Sequence, residues 1–204
     1  EDTFSRKQDM LGSEPSYSAK KAVEFFGKRG INKLLDLGGG QGRDAIYFAQ
    51  NGFQVTVVDF SRTGLDLIEH KAKQLKLSQN ITILQHDVRN TLPFEDESFD
   101  GCYSHMLYCM TLTTRELEFL SDEIRRVLKP TGVNIYTVRN TDDAHYRQGI
   151  HRGEDMYESQ GFIVHFFNKE KIEHLAKGYE IVSIDSFEEG KLPRKLFLVI
   201  LRKK

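Results

Sequence analysis

The run Asp36-Leu37-Gly38-Gly39-Gly40-Gln41-Gly42 follows a short apolar stretch, Lys33-Leu34-Leu35, and precedes a segment of helical spacing that begins at Arg43. Glycines on a strand-to-helix turn leave bare backbone for a ligand and supply the positive φ that a tight turn needs. Such a loop marks a nucleotide-binding α/β domain without naming the nucleotide. Asp59 lies about 20 residues beyond Gly38, at the end of a β-branched run, where a carboxylate can accept both hydroxyls of an adenosine ribose. A helix-capping or solvated aspartate is the alternative there. His86-Asp87-Val88 follows the next apolar run, and Asp87 at a strand end can accept from the exocyclic amine of adenine. Aspartate is also common in turns.

The rest of the ligand separates the candidates. A dinucleotide brings a pyrophosphate, with two negative charges, to the helix N-terminus. Here Asp36 and Asp44 flank the loop and the nearest cation is Arg43. Acidic flanks suit a ligand that carries an ammonium and a sulfonium.

The elements that must hold these residues alternate between strand and helix patterns. Ala19, Ala22, Val23 and Phe26 form one face of a helix ending near Gly30. Strands are predicted over Leu34–Leu37, Phe53–Val58, Ile81–Leu84, Phe99–Tyr103 and Val133–Val138. Between them, helices run over Arg43–Asn51 with Gly52 as a left-handed cap, from Ser61 through Leu65, Ile68, Ala72 and Leu75, and from the capping box Thr113–Glu116 to Val127. Pro130 stops the last of these. A short helix over Lys169–Lys177, capped by Asn168, precedes two strands, Tyr179–Phe187 and Lys195–Leu201. No helix separates those two, so they pair antiparallel. The fold class is therefore α/β: a doubly wound, Rossmann-like, seven-stranded and mostly parallel sheet with a C-terminal antiparallel hairpin and helices on both faces. Ligands in such sheets sit at the carboxyl ends of the strands, which selects residues 36–42, 59–60, 86–88, 104–110 and 139–167.

Composition narrows the function. The 204 residues suit a single domain over 1–204, with 1–30 as an N-terminal helix or lid and 139–167 as an excursion on the acceptor side. Twenty-nine basic against 30 acidic residues leave no global field for nucleic acid or an anionic membrane. Apolar stretches are far short of a membrane span, and the charged stretch Glu1–Met10 does not read as a secretory leader. Cys102 and Cys109 show no zinc spacing and imply no disulfide framework, so a cytoplasmic protein is expected.

Taken together, Asp36–Gly42, Val57-Val58-Asp59, His86-Asp87-Val88, Leu92–Asp100 and Leu128-Lys129-Pro130-Thr131-Gly132 resemble the successive motifs of class I S-adenosylmethionine-dependent methyltransferases. The match in order and spacing runs from about residue 30 to 140. Gly40-Gln41-Gly42-Arg43-Asp44-Ala45 is similar to the small-molecule branch, methyltransferase type 11, that includes tellurite-resistance-type enzymes; many members carry cysteine where this chain has Gly39. The resemblance implies S-adenosylmethionine as cofactor and S-adenosylhomocysteine as product. It implies that Asp36, Gly38 and Gly40 contact the methionine part, Asp59 and Phe60 the ribose and adenine edge, and Asp87 and Val88 the adenine ring. It places Ser104 and His105 near the sulfonium and the acceptor.

Methyl transfer is an in-line displacement that rests on alignment and exclusion of water, with a general base where the acceptor is a hydroxyl or amine. His105 is the candidate base or acceptor-positioning residue; a histidine bonded within the strand-end turn is the alternative. Tyr103 and Tyr108 are candidate pocket walls or core. Tyr17 is placed to fold over the cofactor or to fray. Arg139, His145, Tyr146, Arg147, His151 and Arg152 form a basic and aromatic group that holds an anionic acceptor or is a solvated loop. His145, His151 and His165 lack metal-ligand spacing, so no metal is expected. A small-molecule acceptor and a monomer or homodimer are expected. A non-catalytic nucleoside-binding module and an NAD-dependent reductase remain as alternatives.

Overall fold

The computed structural model describes residues 14–159, 161–190 and 194–204. The first part of the expected N-terminal unit, residues 1–13, and the hairpin tip 191–193 lie outside the described residues. In chain order the elements are α1 (Tyr17–Gly27), β1 (Lys33–Leu37), α2 (Arg43–Gln50), β2 (Gln54–Asp59), α3 (Arg62–Gln74), β3 (Ile81–Gln85) and β4 (Phe99–His105). There follow α4 (Thr114–Val127), β5 (Leu128–Arg139), β6 (Ile150–Gly153), β7 (Met156–Ser159), β8 (Phe162–His165), α5 (Lys169–Leu175), β9 (Tyr179–Glu189) and β10 (Arg194–Lys203).

Seven strands form one sheet in the order β3-β2-β1-β4-β5-β10-β9. β1 pairs in parallel with β2 on one side and β4 on the other. The chain winds outward from β1 to β3 and then returns to β4, so the winding reverses between β1 and β4. That reversal opens a crevice at the carboxyl ends of these strands, where ligands bind in open α/β sheets. β10 runs antiparallel to both β5 and β9, as the missing helix between the last two strands demands.

Strand alternation divides the core into two layers. Leu35, Leu37, Cys102, Tyr136 and Val138 face α4 and α5 through Leu117, Leu120, Ile124, Ile172 and Leu175. Leu34, Val55, Val57, Tyr103 and Ile135 face α1, α2 and α3 through Ala22, Phe26, Phe48, Leu65 and Ile68. The caps read from sequence are present. Ser61 accepts from Gly64, Asn168 from Lys171, and Thr113 and Glu116 close a capping box; the structure adds Ser16, which accepts from the Ala19 N–H.

Two regions depart from the sequence pattern. β5 starts at Leu128 rather than Val133: Phe99 faces Leu128 and Gly101 faces Val133, so Lys129–Gly132 loop out of the ladder with Thr131 at φ 63°. The excursion after Arg139 is not structureless. It folds into a second, three-stranded antiparallel sheet, β6-β7-β8. Its first turn is made by Glu154 and Asp155 at φ 50° and 63°, the left-handed pair that fits a two-residue hairpin. That turn is hard to find because glycine and asparagine usually make it.

No helix of the described residues is long and apolar enough to cross a membrane. The connection from β3 to β4 contains no helix and is held by two side chains of α4, Arg126 and Glu123. Arg126 of α4 donates to the Phe94 carbonyl at 2.7 Å and the Leu92 carbonyl at 2.9 Å, and pairs with Asp96 and Glu123. The Glu123 carboxylate in turn accepts the Leu92 N–H at 2.8 Å.

Phe48 is fully buried at the base of α2, with its ring centroid 4.8 Å from that of Tyr103 and edge-on to Phe53. Replacing it by alanine is expected to lower stability by about 3–5 kcal/mol in urea unfolding, the range for deleting a buried aromatic ring. A loss under about 1 kcal/mol would contradict the packing described.

Candidate ligand-binding crevice

The loop between β1 and α2 is built by three constraints. Gly38, Gly40 and Gly42 all have positive φ, at 73°, 54° and 80°. The Gly38 N–H donates to the Val58 carbonyl at 2.7 Å and the Gly42 N–H to the Gly39 carbonyl at 2.9 Å, which folds the loop back over β2. The Asp59 carboxylate then clamps it, accepting the Gly40 N–H and the Ser61 N–H, each at 2.8 Å. Side chains are excluded by contact as well as by conformation. A Cβ on Gly39 would stand 2.3 Å from Val57 Cγ1, and one on Gly42 would stand 2.5 Å from Ile68 Cγ1. A side chain at position 39 therefore does not fit beside Val57 here without movement.

Asp36 ends β1 beneath this loop. It is 2% exposed, and its Oδ2 has no hydrogen-bond partner. Burial pushes its carboxyl well above the usual carboxylate range; the charges of Asp44 and Asp59 add to this, and Arg43 opposes it. Asp44 behaves differently. Burial raises it too, but the adjacent Arg43, His105 and the Ser16 N–H outweigh burial and hold it below its ordinary value. Asp44 accepts from Ser16 N at 2.9 Å, Ser16 Oγ at 2.7 Å and Tyr103 Oη at 3.0 Å, and pairs with Arg43.

The structure brings Asp36, Gly38, Gly40 and His105 together around one pocket, with Gln41, Arg43, Asp44, Lys71 and Tyr103. His105 closes its far side. Its Nδ1 lies 3.1 Å from Ser18 Oγ and 3.0 Å from Thr137 Oγ1, and its Nε2 lies 3.1 Å from Glu189 Oε2. A larger hollow at the amino ends of the strands is lined by Asp96, Glu97, Asp122, Glu123, Arg125, Arg126 and Lys203, whose charges pair with one another.

The other expected residues do not line this pocket. Phe60 is 61% exposed at the end of β2. Asp87 is paired with Arg89, whose Nε is 3.0 Å from both carboxylate oxygens, and this pairing lowers the Asp87 carboxyl. Val88 is half-buried against the α4-side core. Ser104 is fully buried with an unpartnered hydroxyl and lies outside the pocket, because strand alternation turns it to the opposite face from Tyr103 and His105. Tyr108 is core rather than pocket wall: it is fully buried and stacked on Tyr136 with centroids 4.2 Å apart. Arg139 is 8% exposed and fixed on Asp143 and on His145 Nδ1 at 2.8 Å, so it offers no open guanidinium to an anion. Tyr146 donates to Asp155 at 2.8 Å and braces the small sheet. Tyr17 is half-exposed, its ring 5.2 Å from Phe187 of β9. Cys102 and Cys109 are buried, and burial raises both thiols, so neither is poised as a nucleophile.

Sequence reasoning missed Glu189, Ser18, Thr137 and Gly64. Glu189 was within reach: β9 is antiparallel to β10, which is antiparallel to β5, so the end of β9 returns to the same edge as the ends of the parallel strands. Gly64 sits in the first turn of α3 because a Cβ there would stand 2.5 Å from the Gly40 carbonyl oxygen. Gly64→Ala gains about 1 kcal/mol of helix propensity, yet it is expected to displace the loop. Calorimetry with S-adenosylhomocysteine should show affinity down at least tenfold; unchanged affinity would show that the loop and α3 are not in register.

Residues 34–132 match the family model described as "Methyltransferase domain". A demethylmenaquinone methyltransferase of Tropheryma whipplei (strain Twist) is 33% identical over 113 residues, covering 55% of this chain and 44% of that protein. The chain spans about half the length of the curated relatives it matches. Among solved structures, a SAM-dependent methyltransferase from Methanosarcina mazei superposes with TM-score 0.76 at 23% identity, covering 85% of this chain and 92% of that one. TehB from Haemophilus influenzae gives TM-score 0.72 at 19% identity, covering 100% of this chain and 67% of the other. At these identities the superpositions establish the fold, and the family model spans the segment that carries the glycine loop, Asp59, Asp87 and His105. Residues 34–132, just under half of the 204, are thus similar to a methyltransferase domain.

Proposed function

We propose that the chain transfers a methyl group from S-adenosylmethionine to a small-molecule acceptor. The observation that carries this reading is the buried Asp36 carboxyl, one of its oxygens without a hydrogen-bond partner, at the floor of a glycine cradle. A buried carboxyl without a partner is costly when ionised, and an ammonium is the group that relieves it. A pyrophosphate would bring further negative charge beside Asp36, Asp44 and Asp59. Asp36 holds the amino group of the methionine moiety, and the backbone at Gly38 and Gly40 lies along the rest of it. Asp59 uses one lone pair on each oxygen for Gly40 and Ser61, and the remaining pairs face the ribose hydroxyls. Phe60, Asp87 and Val88 flank the adenine, with the Arg89 side chain moving aside from Asp87. The methyl donor supplies the electrophilic carbon; the protein supplies alignment and a dry crevice.

A small acceptor is supported by the relative named for demethylmenaquinone and by the balance of basic and acidic residues. Buried unpaired cysteines suit the cytoplasm, and we read the working unit as a monomer or homodimer.

Calorimetric titration tests the reading. S-adenosylmethionine and S-adenosylhomocysteine are expected to bind and NAD is not. Binding of NAD with silence toward both adenosyl ligands would replace methyl transfer by a reductase, and binding without turnover on a broad acceptor screen would favour a nucleoside-binding module.

Asp36→Asn gives a second, two-signed test. The amide is expected to weaken S-adenosylhomocysteine binding by about 1.5–3 kcal/mol, the range for a hydrogen bond to a charged group. The same change is expected to stabilise the ligand-free protein. A carboxyl raised on folding binds more protons in the folded than the unfolded state, so stability falls as pH rises through the window above the unfolded value. Thermal melts from pH 4 upward should show that slope in the wild type and less of it in the variant. Equal slopes would remove Asp36 as a strained, ligand-seeking group.

A further inference from the structure

Ser18, Thr137 and Glu189 contact the His105 ring, and the groups behind them constrain where the proton of the neutral ring lies. The Met106 N–H donates to Thr137 Oγ1 at 2.9 Å, so the Thr137 hydroxyl proton is free to point at His105 Nδ1, 3.0 Å away. Ser16 Oγ and Tyr103 Oη each donate their proton to Asp44 Oδ2. Ser18 Oγ stands 2.8 Å from Tyr103 Oη and 3.1 Å from His105 Nδ1, and can either donate to that nitrogen or accept from it. On the other side of the ring is Glu189. Burial raises its carboxyl, but the bond and charge of His105 and the charges of Arg43 and Arg194 outweigh that and leave it lowered, hence ionised. An ionised carboxylate 3.1 Å from Nε2 requires a proton on that nitrogen. In the neutral ring this puts the proton on Nε2 and leaves Nδ1 facing the hydroxyls of Ser18 and Thr137.

We propose that Glu189 is a positioning residue that holds His105 as the Nε2–H tautomer, so that Nδ1 takes the proton of a methyl acceptor reacting through an N–H or O–H atom. This rests on the methyltransferase reading above and narrows its acceptor class. In the step, the acceptor's lone pair forms the new bond to the methyl carbon. The carbon–sulfur bond breaks with its electron pair left on sulfur, and the acceptor's proton ends on Nδ1. The resulting imidazolium lies between the Glu189 carboxylate and the Ser18 oxygen, which then accepts from Nδ1–H, and the proton later passes to solvent. A soft acceptor that is already an anion has no proton to give and no use for this pair.

The tautomer is directly measurable. Two-bond nitrogen–proton spectra of the full chain with nitrogen-15 histidine, recorded at about pH 9 where imidazole is neutral and assigned with His105→Gln, should show His105 as Nε2–H. Glu189→Ala is expected to populate the other tautomer. Glu189→Gln, whose amide oxygen still accepts, should restore the wild-type pattern. Both variants should hold S-adenosylhomocysteine within about twofold of wild type. An Nδ1–H ring in the wild type, or a Glu189→Ala spectrum identical to it, would overturn the positioning role. Hydrosulfide, a nucleophile that needs no base, is expected to yield no S-adenosylhomocysteine above the protein-free rate; steady production from it would overturn the acceptor class. Loss of S-adenosylhomocysteine binding by the wild type would sink the methyltransferase reading, while the histidine spectra judge the pair independently.

Discussion

The burial of Asp36 constrains everything around it. A carboxyl group removed from water with one oxygen unpartnered is a standing cost in the ligand-free chain, and the surrounding structure is arranged to maintain it rather than relieve it. Arg43, the cation closest in sequence, is turned onto Asp44. Asp59, which could have been a second open acid, is tied to the backbone of Gly40 and Ser61. The glycines keep side-chain bulk out of the space above, and Val57, Ile68 and Gly64 hold the loop from below. The result is a cradle whose chemistry is set by one carboxyl whose ionisation the ligand-free fold opposes.

That arrangement follows from topology. The reversal of winding between β1 and β4 separates the helices that follow these strands and leaves a gap at their carboxyl ends. Strand alternation then decides which residues face it. Asp36, Tyr103 and His105 share the α1–α3 face, while Ser104, a single residue away, is turned into the opposite layer. α1 closes the near side through Ser16 and Ser18, which bond Asp44, Tyr103 and His105 in one continuous chain of polar contacts.

Much of this was legible in the sequence, and the parts that were not share a physical cause. The five parallel strands, the C-terminal hairpin, the caps at Ser61, Thr113 and Asn168, and the glycine loop all announce themselves through local spacing. The role of Tyr108 and Arg139 did not, because residue type fixes chemistry but not direction: Tyr108 drops to the Tyr136 side and Arg139 meets Asp143 four residues on. The small sheet was hidden because its turn uses Glu154 and Asp155 in a conformation that neither prefers. Glu189 is harder to find because its place follows only from two successive antiparallel pairings taken together, which bring the end of β9 to the edge where the parallel strands end.

Glu154 has a second attachment. Its carboxylate accepts both the backbone N–H and the hydroxyl of Thr114, each at 2.6 Å, at the first turn of α4. The helix bearing the Arg126 latch is thereby riveted to the turn of the small sheet. A diversifying lineage could not exchange that sheet as a loose cassette to suit a different acceptor. The incoming piece would need its own anchor for the start of α4, or the helix, and with it the latched stretch before β4, would lose a fixed point. Innovation in this molecule is therefore easier at single side chains facing the crevice than by wholesale insertion.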